Sequence, residues 1–147
     1  MLAQELDFHE IFKISPTAMA LLTPDLDFID ANEEFLAAAD RDLGELIGRN
    51  AFEVFPKMPH QPGNPKWTCL EEAMTSGRRE VYELTRYDVE DPAAPGVFRE
   101  RYWSSVVTPV RGLEGDVEVL ELSAREVTSI IERFKSIQAE LMQAEHA

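Results

Sequence analysis

The sequence predicts an α+β fold: a five-stranded antiparallel sheet with short helices on one face, flanked by an N-terminal helix and a C-terminal coiled-coil-like helix. Three observations carry that prediction. Two short apolar runs, at 17–23 and 28–31, are separated by a Pro-Asp turn, and three longer strand-like runs follow at 80–89, 98–110 and 117–124. Between the two groups, helix starts and chain breakers succeed one another closely. Beyond 126 the apolar residues recur at alternating steps of three and four. Strands, then helices, then strands, without strict β–α alternation, point to an antiparallel sheet with segregated helices.

The first element is a short helix: Asp7 and Glu10 have capping-box spacing, Phe8, Ile11 and Phe12 share a face, and Pro16 ends it. The run 17–23, bounded by Pro16 and Pro24, reads as a buried strand, and Pro24-Asp25 turns it into a hairpin with 28–31. Asn32 is placed to cap the next helix. Glu33 and Glu34 sit in its first turn, where the helix dipole favours anions, and Phe35, Leu36 and Ala39 supply its apolar face. Asp42 and Glu45 repeat the capping-box spacing, with Gly48 closing that turn. One more turn, 52–55, precedes four prolines and a glycine within 56–65, a surface loop. The helix 66–76 carries Trp67, Leu70 and Met74 on one face and ends at Gly77. The turns Asp91-Pro-Ala-Ala-Pro-Gly and 112–116 then join the three late strands into a meander. Finally, Val127, Ile130, Phe134, Ile137, Leu141 and Ala144 form an a/d seam over nearly three heptads. Two readings of that seam stand: it joins two copies of the chain, or the helix folds back on its own sheet.

Composition narrows the function. The 147 residues suit one domain with a terminal helix. With 14 Lys and Arg against 28 Asp and Glu, the net charge of −14 repels phosphate backbones and anionic lipid headgroups, so direct nucleic-acid binding is disfavoured. The single cysteine, Cys69, can form neither an intramolecular disulfide nor a multi-cysteine zinc site. The acidic N-terminus is no signal peptide, and the longest apolar run, 14–23, is about half of a membrane span. A soluble, cytoplasmic segment is expected.

The stretch Ser15-Pro-Thr-Ala-Met-Ala-Leu-Leu-Thr-Pro-Asp-Leu-Asp-Phe-Ile-Asp-Ala-Asn-Glu-Glu-Phe-Leu resembles the opening of a PAS domain, with two strands, a turn and an Asn-x-x-Phe helix start. Glu45-Leu-Ile-Gly-Arg-Asn resembles the family's next signature, Arg101-Tyr-Trp-Ser-Ser-Val-Val-Thr-Pro-Val its fourth strand, and Arg125-Glu-Val-Thr the Asp-x-Thr that ends the fifth. Together these motifs cover residues 7–128. Two departures stand out: Asp40-Arg41 replaces the common Gly-Tyr or Gly-Phe, and Glu126 replaces Asp. The resemblance implies a helical cap at 1–14, a PAS sensor domain at 15–126 and a signalling and dimerisation helix at 127–147.

The resemblance also implies a pocket between helices and sheet, and the residues decide which chemistry it can carry. Gly48-Arg-Asn-Ala resembles the Gly-Arg-Asn-Cys of LOV photoreceptors, but Ala51 stands where their flavin-reactive cysteine would be, Cys69 falls on another helix, and the strands lack the Asn and Gln that hold a flavin edge. The long helix has no histidine for haem, and His60 precedes it in the loop. His9 heads no zinc motif because Lys13 takes the second histidine's place, and Asp25, Asp27 and Asp30 lack the glycine and terminal Glu of a calcium loop. No phosphate-binding loop or nucleophile elbow is present. The expectation is therefore no catalysis, no metal and no identified cofactor, with a small organic ligand possible.

Candidate pocket residues are Met19, Phe52, Trp67, Leu70, Met74 and Trp103, each of which also reads, and more readily, as core filling. Arg86, Tyr87, Arg101 and Tyr102 bring polar tips that would anchor an acidic or carbonyl ligand, or form a solvated cross-strand face. Cys69 reads as a small buried hydrophobe. In the family, the Asp-x-Thr pair fastens the last strand to the following helix, often through a partner base. Glu126 and Thr128 take that transmitting role here, and Val127, Ile130, Phe134, Ile137 and Leu141 the dimer seam. The expected protein is a homodimeric sensor that signals to an output domain or partner (a histidine kinase, a phosphatase or a regulator of transcription). The alternative is a ligand-free interaction domain.

Overall fold

Asp7 opens the first helix, α1 (Phe8–Ile14), by accepting the Glu10 backbone N–H at 3.0 Å. The computed structural model describes residues 2–56 and 65–146, the side chains of residues 3 and 65–67 excepted. Strands β1 (Ala18–Leu22) and β2 (Phe28–Ala31) form the expected hairpin. Its turn is closed by Thr23, whose hydroxyl accepts the Asp27 N–H and whose carbonyl accepts the Leu26 N–H. Asp25 in that turn offers its main-chain carbonyl to the Asn50 side-chain amide at 3.0 Å.

Three short helices follow, α2 (Glu33–Ala39), α3 (Leu43–Leu46) and α4 (Ala51–Val54). The Asp42/Glu45 capping box is formed at the start of α3. Gly48, at φ +77°, turns the chain so that its N–H reaches the Phe28 carbonyl and Arg49 accepts from Phe28, laying this segment along β2. Residues 57–64 of the proline-rich loop, His60 among them, lie outside the described residues.

Helix α5 (Pro65–Ser76) ends at Gly77, φ +67°. It buries Cys69, Leu70 and Ala73, with Met74 half-buried, against the sheet. The late strands are β3 (Glu80–Arg86), β4 (Val89–Glu90), β5 (Phe98–Arg99), β6 (Tyr102–Arg111) and β7 (Val117–Glu126), and α6 (Thr128–Glu145) ends the chain. Five strands pair antiparallel in the order β2-β1-β7-β6-β3, and β4-β5 forms a separate two-stranded arm. The two late runs each expected to be one strand are thus each broken in two. The cause is local: the Asp88 side chain accepts the Arg101 backbone N–H, diverting a donor that the ladder would otherwise use.

The inner face of the sheet is built from alternate residues: Ala18, Ala20 and Leu22 opposite Ala124, Leu122 and Leu120, with Trp103, Ser105 and Val107 beside them on β6. At the middle of this pairing the small Ala20 faces Leu122, and both are fully buried under the helices. No helix among the described residues is long and apolar enough to cross a membrane.

Candidate functional site

A cavity of about 160 Å³ lies between the end of α2, the end of α4 and the β4–β5 arm. The end of α2 is set by Asp40, which adopts the left-handed conformation (φ 58°, ψ 46°) at about 1 kcal/mol for a residue with a Cβ. The Asp40 and Arg41 N–H groups bond back to Ala37 and Leu36, the bond pattern of a glycine-type helix stop. Asp40 thus keeps the backbone course expected of glycine there and adds a carboxylate, which pairs with Arg99 on β5 and ties the arm to the helix.

Arg41 stands where an aromatic would be expected and lines the cavity. Its guanidinium carbon lies 5.8 Å from the centre of the Phe55 ring, and its Nη1 lies 3.5 Å from Glu45. Its Nε is buried and finds no acceptor among the described residues. A buried donor left in that state costs about 1–3 kcal/mol. Phe55 packs edge-on against Tyr87 at 6.3 Å and against Phe28 at 6.1 Å. The Tyr87 hydroxyl donates to the Pro56 carbonyl at 2.7 Å, and burial pushes its phenol up, the nearby Arg41 charge opposing. Val54, Val89 and Phe98 complete an apolar lining, and Asp88 and Glu90 bring carboxylates to it.

Asp88 is only 4% exposed and is held from two sides. Arg86 donates Nε and Nη2 to its two oxygens at 3.1 and 3.0 Å, and the Arg101 backbone N–H reaches Oδ1 at 3.2 Å. From there the contacts run to the terminal helix. Arg101 Nε lies 3.4 Å from Glu126, the Tyr102 N–H donates to Thr128 Oγ1 at 3.0 Å, and the Val127 N–H donates to the Tyr102 carbonyl at 2.8 Å. On the exposed side, Tyr102 OH donates to Glu100 at 2.5 Å and accepts from Lys135 on α6 at 3.1 Å. The Tyr102 bond holds the Glu100 carboxyl below its ordinary range, and the same hydroxyl holds Lys135 above its own.

The six pocket residues read from the sequence do not converge on this cavity. Met19 is half-buried in β1, out of phase with the inward Ala18, Ala20 and Leu22. Phe52 is 38% exposed. Leu70 is fully buried in the core, and Met74 packs at its margin. Trp103, also core, comes nearest, donating its indole N–H to the Tyr87 carbonyl at 2.8 Å. The Trp67 side chain lies outside the described residues. Of the four polar strand residues, Tyr87 lines the cavity, Arg86 and Arg101 are committed to Asp88 and Glu126, and Tyr102 faces Glu100. Sequence reasoning missed Arg41, Asp88 and Phe55. The Asp40-Arg41 departure and an acid flanked by Tyr87 and Val89 were the available signals.

Cys69 is buried on α5, its Sγ 3.8 Å from the Glu80 carbonyl, and burial, then Glu72 and Glu80, push the thiol up to about 11. Val127 is half-buried, whereas Ile130, Phe134, Ile137 and Leu141 are 54%, 58%, 43% and 62% exposed, so the seam is not folded onto the sheet of its own chain. Among the described residues no group of three or more His, Cys, Asp and Glu is placed to hold a metal ion.

The family model described as the PAS fold matches residues 12–130. No curated protein matches the chain in sequence. Among solved structures, an RNA-binding light-oxygen-voltage receptor aligns with 100% of this chain and 42% of its own, at 18% identity and a TM-score of 0.69. A sensory box sensor histidine kinase from Vibrio cholerae aligns over 82% of this chain and 87% of its own, at 18% identity and a TM-score of 0.56. The PAS domain of nitrogen regulation protein NR(II) from Vibrio parahaemolyticus aligns over 79% and 94%, at 15% identity and a TM-score of 0.58. The chain spans less than half the length of the first of these, and at such identities the likeness is one of fold.

The residues present do not fit the flavin that light-oxygen-voltage domains hold. Ala51 is fully buried and offers no sulfur, Cys69 is absent from the cavity lining, and the five strands of the sheet carry no Asn or Gln. A cavity of about 160 Å³ matches one benzene-sized ring, not a drug-sized ligand, whose sites run to about 300–1,000 Å³.

Proposed function

The chain belongs to the PAS fold family, and from that premise we propose that it is a cytoplasmic signal-sensing and dimerisation module that binds a small organic molecule and performs no catalysis. One observation carries this reading. A wall of the cavity, Asp88, is bonded to Arg101, whose side chain meets Glu126 just before α6. A ligand that moves the β4–β5 arm therefore pulls on the strand end from which the helix grows, through Glu126 and Thr128. The polar groups around the cavity favour holding over transforming: Asp88 is engaged by Arg86 and Arg101, and Tyr87 by Pro56.

In this reading residues 1–14 cap the sensor, 15–126 form it, and 127–147 carry the output to a kinase, phosphatase or transcription-regulating domain or partner. The bare apolar stripe at Ile130, Phe134, Ile137 and Leu141 favours pairing with a second copy. That stripe equally supports a second reading, a ligand-free interaction domain. Native mass spectrometry on freshly purified protein separates them. A dimer with retained extra mass supports the sensor, a dimer at bare mass favours the interaction domain, and a bare monomer removes the seam from both.

A further inference from the structure

We infer that Tyr102 clasps α6 at two points and that this clasp, through Glu100 and Arg86, is a second link between the cavity wall and the terminal helix. The Tyr102 backbone N–H donates to Thr128 Oγ1 at 3.0 Å, at the helix root. Its hydroxyl accepts from Lys135 Nζ at 3.1 Å, seven residues on, and the same Nζ lies 5.1 Å from the centre of the Tyr102 ring. Thr128, Ile131 and Lys135 are spaced three and four apart and so share one face of α6, where Thr128 is buried and Ile131 half-buried. The exposed stripe through Ile130, Phe134 and Ile137 is turned about 100° from that face. The clasp therefore sets the direction in which the stripe faces a second copy.

Glu100 carries the contact inwards. Its Oε1 accepts the Tyr102 hydroxyl at 2.5 Å and lies 3.7 Å from Lys135 Nζ, while its Oε2 lies 3.9 Å from Arg86 Nη2. The same Nη2 donates to Asp88 Oδ2 at 3.0 Å, and Asp88 lines the cavity. The path Asp88–Arg86–Glu100–Tyr102–Lys135 thus reaches the second turn of α6 without passing through Arg101 or Glu126. A lone exposed ion pair is a weak tie, but here one lysine meets a hydroxyl, a carboxylate and a ring face, and one carboxylate meets two cations and a hydroxyl. The cavity's part in this link rests on the sensing role proposed above, whereas the clasp does not.

Amide hydrogen exchange tests both parts, with Phe134→Glu and Ile137→Glu in every chain so that no paired helix shields α6. Tyr102→Phe removes only the hydroxyl and Lys135→Met the ammonium, and neither touches the bond from the Tyr102 N–H to Thr128. Each is expected to speed exchange at residues 131–136 by about fivefold, the two together by no more than either alone, and Lys135→Arg to stay within about twofold of the unaltered lysine. Because coupling is reciprocal, Lys135→Met should also speed exchange at residues 89–99, in the β4–β5 arm, by about twofold or more. Unchanged rates at 131–136 overturn the clasp. Faster exchange there with unchanged rates in the arm overturns the link to the cavity and leaves the clasp as a fastening of the helix alone. None of these readings needs a ligand, so a chain that shows both effects but retains no molecule in native mass spectrometry counts against the sensing role and keeps the clasp with its link.

Discussion

Asp88 accepts the backbone N–H of Arg101 at 3.2 Å, and the guanidinium of Arg101 reaches on to Glu126 at 3.4 Å. The first contact splits the long strands and creates the β4–β5 arm that walls the cavity. The second fastens the end of β7. One acid thus shapes the pocket and stands next to the helix root. Asp88→Asn keeps the size but replaces one oxygen with an amide donor facing Arg86 or Arg101. Because Asp88 is buried and Arg86 is partly exposed, the cost should be about 2 kcal/mol by urea denaturation. Amide hydrogen exchange should also quicken in residues 87–101. A loss under about 0.5 kcal/mol would contradict the role given to this carboxylate.

Asn32 is fully buried and its side chain makes four hydrogen bonds. Its Oδ1 accepts from Met19 and Phe35, and its Nδ2 donates to the Phe12 and Thr17 carbonyls. It therefore joins α1, β1 and α2 at one point, where a cap alone would join none. At about 1 kcal/mol for each bond, Asn32→Ala should destabilise the protein by about 3–4 kcal/mol. Asn32→Asp should retain the two accepted bonds and set a carboxylate against two carbonyls, releasing α1 first. Exchange rates at residues 8–14 distinguish the two variants.

The cap at Asn32 and the capping box at Asp42 and Glu45 were legible because each is a local bargain between a side chain and a few nearby N–H groups. The existence of β6 and β7 was legible from their apolar and β-branched runs, but not which face turns inward, since Ser105 is buried while its neighbour Val106 is only half-buried. The cavity was not, because its walls come from segments centred near 40, 55, 88 and 98 that only tertiary packing brings together. Trp103 and Leu70 read as pocket residues because large apolar side chains look alike whether they line a space or fill one. Arg41 was visible only as a departure from a family pattern, and its buried Nε is a property of the fold.

The α6 stripe gives a prediction about assembly. Phe134 and Ile137 are exposed in the single chain, so charges placed there cost its fold little. Phe134→Glu with Ile137→Glu should convert a dimer to monomers by sedimentation velocity, with a change in unfolding free energy of the isolated chain within about 0.5 kcal/mol. A dimer that persists would mean that another surface, such as the exposed Phe8, Ile11 and Ile14 of α1, pairs the subunits.

Cys69 links stability to alkaline pH in a direction fixed by its environment. Burial first, then Glu72 and Glu80, raise the folded thiol from 9.0 to about 11, so the fold favours the neutral form. Below pH 9 both folded and unfolded thiols are protonated and the full contribution is present. Between 9 and 11 only the unfolded thiol ionises, which draws the equilibrium towards unfolding by up to about 1.4 kcal/mol per pH unit. Tyr82, raised to about 12, and Tyr87 add the same sign of effect above pH 10. Cys69→Ala removes the thiol part alone. At neutral pH it should be about 1 kcal/mol less stable than the unaltered chain, from the lost sulfur contacts. That gap should close and then reverse as pH rises from 9 towards 11, measured by urea denaturation at a series of pH values. Parallel curves for the two proteins would mean that the thiol is not held neutral by its burial.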